Sequence, residues 1–167
     1  MARLSLVAVS ALALVLAACG PSNTTSTASS AESTPVATTT ATATTTERSP
    51  EEIQTALAAL PAPYNAADYE AGRRTFAQCR ACHAIGANRV GPNLAGLFGR
   101  KAGTEPGFTY SDAVKNAGFD WDADHLEHWL DNPREFLPGN RMAFIGVHDA
   151  TQRRNLIAYL MIETKQP

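Results

Sequence analysis

The sequence predicts an all-α domain of short helices joined by long, turn-rich loops. Apolar residues recur at helical spacing in three stretches, 68–78, 122–130 and 149–163, with charged residues left for the opposite faces. Between them no strand pattern is recognisable, and Gly91, Pro92, Gly96, Gly99, Gly103, Pro106, Gly107 and Gly118 punctuate the chain instead. Loops of that length are unusual in a compact domain unless they wrap something. The pentapeptide Cys79-Arg80-Ala81-Cys82-His83 says what they wrap. In the reading C-x-x-C-H, two thiols add across the vinyl groups of one haem as thioethers, and the histidine supplies an axial nitrogen to the iron.

Of the 167 residues 44% are hydrophobic, but so unevenly distributed that three zones follow: a targeting segment at 1–18, a linker at 19–63 and one globular domain at 64–167. A domain of roughly 100 residues has a thin core, so a large buried cofactor would contribute much of its stability. Formal charge is −2 for the whole chain, and residues 66–167 balance twelve Lys and Arg against twelve Asp and Glu. That balance argues against a nucleic-acid binder, whose footprint is a basic surplus.

In chain order, Arg3 precedes a run from Leu4 to Ala18 that is apolar except for Ser5 and Ser10. This has the form of a signal-peptide core, shorter than the roughly 20 residues of a spanning helix. Leu16-Ala17-Ala18-Cys19-Gly20 then resembles the lipobox of bacterial lipoproteins, in which the cysteine is lipidated and becomes the mature N-terminus. Ordinary secretory cleavage after Ala18 is the alternative, but Leu16 stands where such sites want a small residue. Several acyl chains, at about 0.8 kcal/mol per buried CH₂, would hold the protein firmly to a membrane. Residues 20–48 are dominated by Thr, Ser and Ala without an aromatic residue, and are expected to be disordered. As a flexible coil, the stretch 20–63 would reach about 35–40 Å. Within it Ser49-Pro50-Glu51-Glu52 has the signature of a helix start, and Pro61 and Pro63 of its end, read as a transient, solvated helix in the linker.

The stretch 68–78 runs directly into Cys79, with Tyr69, Gly72 and Phe76 on one face. A glycine in mid-helix costs about 1 kcal/mol against alanine, and close approach of another helix would be its reason. Leu126, Trp129 and Leu130 share a face before Asn132-Pro133 stops the next helix. Asp149-Ala150-Thr151-Gln152 resembles a capping box for a last helix to about Glu163.

C-x-x-C also serves zinc sites and dithiol enzymes. A thioredoxin-like site needs a βαβ context that the pattern lacks, and a structural zinc site needs two further ligands, whereas the remaining cysteine, Cys19, lies beyond the linker. Haem then asks for a second axial ligand. Met161 sits in an apolar helical stripe, His125 and His128 among acids, and His148 before the last helix. Met142 stands apart, in the irregular segment Leu137-Pro138-Gly139-Asn140-Arg141-Met142. A thioether there would favour ferrous iron relative to a second histidine.

Taken in order, the motifs of residues 66–167 resemble those of class I c-type cytochromes, close to mitochondrial cytochrome c and bacterial cytochrome c2: Cys79–His83, Gly91-Pro92-Asn93-Leu94 through Gly99-Arg100-Lys101, Phe108-Thr109-Tyr110, Trp121, Asn132-Pro133, Met142 and Asn155–Leu160. The resemblance implies one covalent haem c, with His83 as proximal ligand donating its other ring nitrogen to the carbonyl of Pro92, and Met142 as distal ligand. It implies Tyr110, Trp121 and Arg100 as partners of a haem propionate. It also implies that the N- and C-terminal helices cross where Gly72 and Phe76 meet Leu156 and Tyr159.

The chain departs from the mitochondrial pattern at Trp129 (tyrosine there), Asn140 (threonine) and Val114 (asparagine), so the potential cannot be borrowed from relatives. Arg134, Glu135 and Arg141 replace lysines, some of which displace the methionine in mitochondrial proteins at high pH. The expected function is a membrane-tethered carrier of single electrons between respiratory or photosynthetic complexes, monomeric, not an enzyme, on the periplasmic side of a bacterial envelope and anchored to lipid through Cys19. A fixed subunit of an oxidase or reductase, and a haem peroxidase or gas-binding protein with an open sixth position, are the alternatives. Only Lys101, Lys115 and Lys165 remain in the domain, so arginines supply most of the cations available to a docking surface.

Overall fold

Each of the three expected helices begins on an aspartate whose side chain accepts a backbone N–H of the first turn, from Ala71, His125 and Gln152 respectively. The computed structural model describes residues 48–165. In it the chain forms α1 (Pro50–Ala58), α2 (Tyr69–Phe76), α3 (Asp112–Lys115), α4 (Ala123–Asp131), α5 (Pro133–Phe136) and α6 (Ala150–Glu163), with a 3-10 turn at Tyr64–Ala66. No strand occurs among the described residues, only an isolated antiparallel bridge between Lys101 and Asp120. The all-α class is as expected. The short α3 and α5 were not anticipated; Ser111 and Asn132 cap them, and the Asn132-Pro133 that ends α4 also starts α5.

The core is centred on α6, where Leu156, Ile157 and Ala158 are fully buried. Helix α2 crosses it at Gly72. A Cβ at that position would lie 2.2 Å from the Asn155 carbonyl oxygen and 2.8 Å from Tyr159 Cβ, so the two backbones meet at a distance only glycine permits. Tyr159 packs between Tyr69 and Phe76, its ring centroid 5.2 Å from each. Asn155 fastens the start of α2 by accepting the Asp68 N–H at 3.0 Å.

The segment at 49–58 differs from expectation. Most of its residues are exposed, as expected of a solvated helix, but it packs on the domain: Ser49 and Glu52 form a complete capping box, and Leu57 is buried with the residues of α6. Arg48 pairs with Glu163 at 2.9 Å, and Tyr69 donates its hydroxyl to the same carboxylate at 2.9 Å. The folded region therefore includes residues that the linker reading assigned to 19–63. The targeting segment, Cys19 and residues 20–47 lie outside the described residues. Among the described residues no helix is long and apolar enough to cross a membrane.

Candidate haem site

Past Phe76 the α2 backbone tightens into successive turns, Cys79 N–H to Phe76 O at 2.9 Å, Cys82 N–H to Cys79 O at 3.0 Å and His83 N–H to Cys79 O at 2.8 Å. These turns bring Cys79, Cys82 and His83 to one wall of a cavity of about 850 Å³. Burial, helped by the neighbouring Cys82, pushes the Cys79 thiol up to about 11. Reactive dithiols lower the pKa of the attacking thiol instead, so Cys79 is poorly suited to that role. His83 donates from Nδ1 to the Pro92 carbonyl at 2.9 Å, which leaves the Nε2 lone pair free to bind a metal. Burial holds the imidazole pKa below its usual value, and the Pro92 bond pulls the other way. Gly91 sits against this ring: a Cβ there would come 2.3 Å from His83 Cε1. The glycine is therefore a steric requirement of the site, a role that the motif reading, which named Gly91 only as a turn former and motif residue, did not assign.

Arg100 and Trp121 come from adjacent backbone, joined by Trp121 N–H to Arg100 O at 2.9 Å and Gly99 N–H to Trp121 O at 2.8 Å. Both line the cavity, as do Tyr110, Met142, Leu97, Trp129 and Phe144. Tyr110 packs edge-on to Phe108, with centroids 4.8 Å apart; burial raises its phenol pKa while the Arg100 charge lowers it. Trp129 stands edge-on to Trp121 at 5.3 Å. Met142 is set by its neighbour Asn140, whose amide oxygen accepts the Met142 N–H at 2.8 Å while its amide nitrogen donates to Pro133 O at 2.7 Å and Leu137 O at 2.8 Å. Asn140 was flagged in the sequence only as a departure from threonine; its positioning role needs the folded loop to be seen.

All of the domain's expected site residues, Cys79, Cys82, His83, Pro92, Arg100, Tyr110, Trp121 and Met142, line this single cavity. Of the other ligand candidates, His125 is half-buried, hydrogen-bonded to Asp122 at 2.7 Å and stacked on Phe119 at 4.2 Å. His148 is exposed and bonds Asp131 at 3.3 Å, and Met161 packs against the core. None of these three lines the cavity. A volume in the range of cofactor pockets, apolar walls, two thiols, a ring nitrogen and a thioether fit a haem.

Fold and cavity thus define a small all-α protein that encloses a covalently attached haem. The chain belongs to the cytochrome c family: the Cytochrome c family model matches residues 69–162. It is 46% identical over 107 residues to cytochrome c2 of Blastochloris viridis, spanning 62% of this chain and 84% of that one. To cytochrome c2 of Rhodomicrobium vannielii it is 38% identical over 117 residues, spanning 68% and 94%. Among solved structures it is similar to cytochrome cH from Methylobacterium extorquens, with a TM-score of 0.55 and 43% identity over 56% of this chain and 97% of that one. It is a class I c-type cytochrome that carries one covalent haem c and serves as a mono-haem electron carrier. Helix α1 precedes the matched segment.

Proposed function

We propose that this protein carries single electrons between membrane redox complexes on the periplasmic side of a bacterial envelope, held to the membrane by lipid on Cys19. Cys79 and Cys82 would hold the haem through thioethers, and His83 and Met142 would ligate its iron. The observation that carries the reading is the convergence of those four side chains on one apolar cavity. When bound, the haem supplies a one-electron change between ferrous and ferric iron. The protein's part is to hold and shield it. Pro92 fixes the His83 tautomer, Asn140 fixes the methionine loop, and the Trp121 and Trp129 rings exclude water. Arg100, Tyr110 and Trp121 would bind the haem propionates. With both His83 and Met142 holding the iron, the site would favour electron transfer over ligand activation.

Cys19 and the Leu16-Ala17-Ala18 sequence before it support the anchor, and twenty-eight residues, 20–47, separate it from the described domain. A tether raises the concentration of the carrier near membrane partners. Expression of the full chain in a bacterium that matures c-type cytochromes tests the reading. The haem-stained protein should be in the membrane fraction and should move to the soluble periplasm in Cys19→Ser with its haem intact. Haem protein found soluble in both would remove the anchor, and stable co-purification with one oxidase or reductase would replace the mobile carrier with a fixed subunit.

A further inference from the structure

Behind the cavity wall, Arg100 meets a carboxylate. Its Nη1 donates to Glu105, in a pair whose side chains are only 15% and 10% exposed. Nη1 also reaches Ala95 O at 3.1 Å, and Nη2 donates to Asn93 O at 2.8 Å. The second Glu105 oxygen accepts from Asn93 Nδ2 at 3.1 Å. Asn93 is itself fixed, its Oδ1 taking the N–H groups of Gly86 at 2.6 Å and Ala95 at 2.9 Å. Arg100 lines the cavity and Glu105 does not, so the acid sits behind the base. A buried charge pair with further hydrogen bonds on both partners is held in place, because separating the partners strands a charge away from water.

We propose that Glu105 is a positioning residue that sets the haem potential: it offsets the Arg100 charge at the propionate side of the cavity and biases the iron toward the ferric state. The inference rests on Arg100 facing a haem propionate, as proposed above. Its sign follows from electrostatics. Ferric haem carries one more positive charge than ferrous haem, so a fixed carboxylate nearby stabilises the ferric form more, and the potential falls. A chain with a neutral residue at 105 would leave the guanidinium uncompensated and have the higher potential.

The test is a redox titration of the full-length holoprotein and its Glu105→Gln and Glu105→Ala variants. Glutamine keeps the shape and an acceptor for Arg100 while removing the charge; alanine removes the hydrogen bonds as well. The proposal predicts an upward shift of midpoint potential in both, about threefold or more in the reduced-to-oxidised ratio at fixed poise, for a unit charge at the cavity wall in a medium between protein and water. Haem content and the methionine–iron band should be unchanged in Glu105→Gln. A purely structural Glu105 would lower the unfolding temperature and leave the potential unmoved; that result, or a downward shift, overturns the proposal. Failure of the ligand reading shows earlier, as a wild-type protein without covalent haem or without methionine ligation.

Discussion

Asn140 shows how much of the site depends on one side chain. Its amide makes three hydrogen bonds around the methionine loop, two donated and one accepted, whereas threonine has a single donor. Asn140→Ala should loosen Met142. With each lost bond contributing about 1 kcal/mol, binding of imidazole to the ferric protein is expected to accelerate about tenfold or more, measured by stopped-flow absorbance. An unchanged rate would mean that the loop holds the methionine without Asn140. Gly72→Ala tests the helix crossing in the same spirit: a methyl group 2.2 Å from a backbone oxygen should cost about 3 kcal/mol or more in denaturant unfolding. Gly72 was legible in the sequence because a glycine inside a helical pattern is conspicuous. Asn140 and Glu105 were not, because a polar residue in a loop looks solvated until its partners, two to seven residues away for Asn140 and five and twelve for Glu105, are folded against it.

At the scale of elements, the helices with two-sided patterns and aspartate caps were readable to within a residue or two, and α1 was read as a helix but placed in the linker rather than against the domain. Its sequence has a sound cap but little apolar surface, Ile53 and Leu57 amid alanines, and it follows a Ser/Thr-rich tract. What makes it part of the domain is long-range: burial of Leu57 and the Arg48–Glu163 pair. Leu57→Ala should lower stability by about 2 kcal/mol, read from chemical unfolding of the holoprotein; no change would return the helix to the linker. The segment α5 to Met142 carries the other element-scale expectation. Positions 134, 135 and 141 hold Arg134, Glu135 and Arg141, so this loop offers no lysine amine to replace Met142. Titrating the ferric protein to high pH should give an alkaline form without a lysine ligand from residues 134–141. A transition matching that of mitochondrial cytochrome c would contradict the ligand-exchange argument.

For the molecule as a whole, the charge balance of residues 66–167, a thin core built on α6 and a large apolar cavity describe a protein whose fold exists to hold a cofactor. The cofactor's chemistry was legible from five consecutive residues, and the enclosing fold from the order of motifs around them. The charge balance at the cavity wall was not, since it arises from Arg100 and Glu105 meeting behind that wall. The central claim is that His83 and Met142 hold one haem iron in a closed site that exchanges single electrons. A potentiometric titration of the purified full-length holoprotein, with the visible spectrum recorded at every step, tests it most directly. The account predicts one haem per chain, a single one-electron transition, and in the ferric state the far-red absorption band of methionine-ligated haem, lost in Met142→Ala. Absence of that band in the wild type, with rapid carbon monoxide binding on reduction, would contradict it and favour an open-site haem protein.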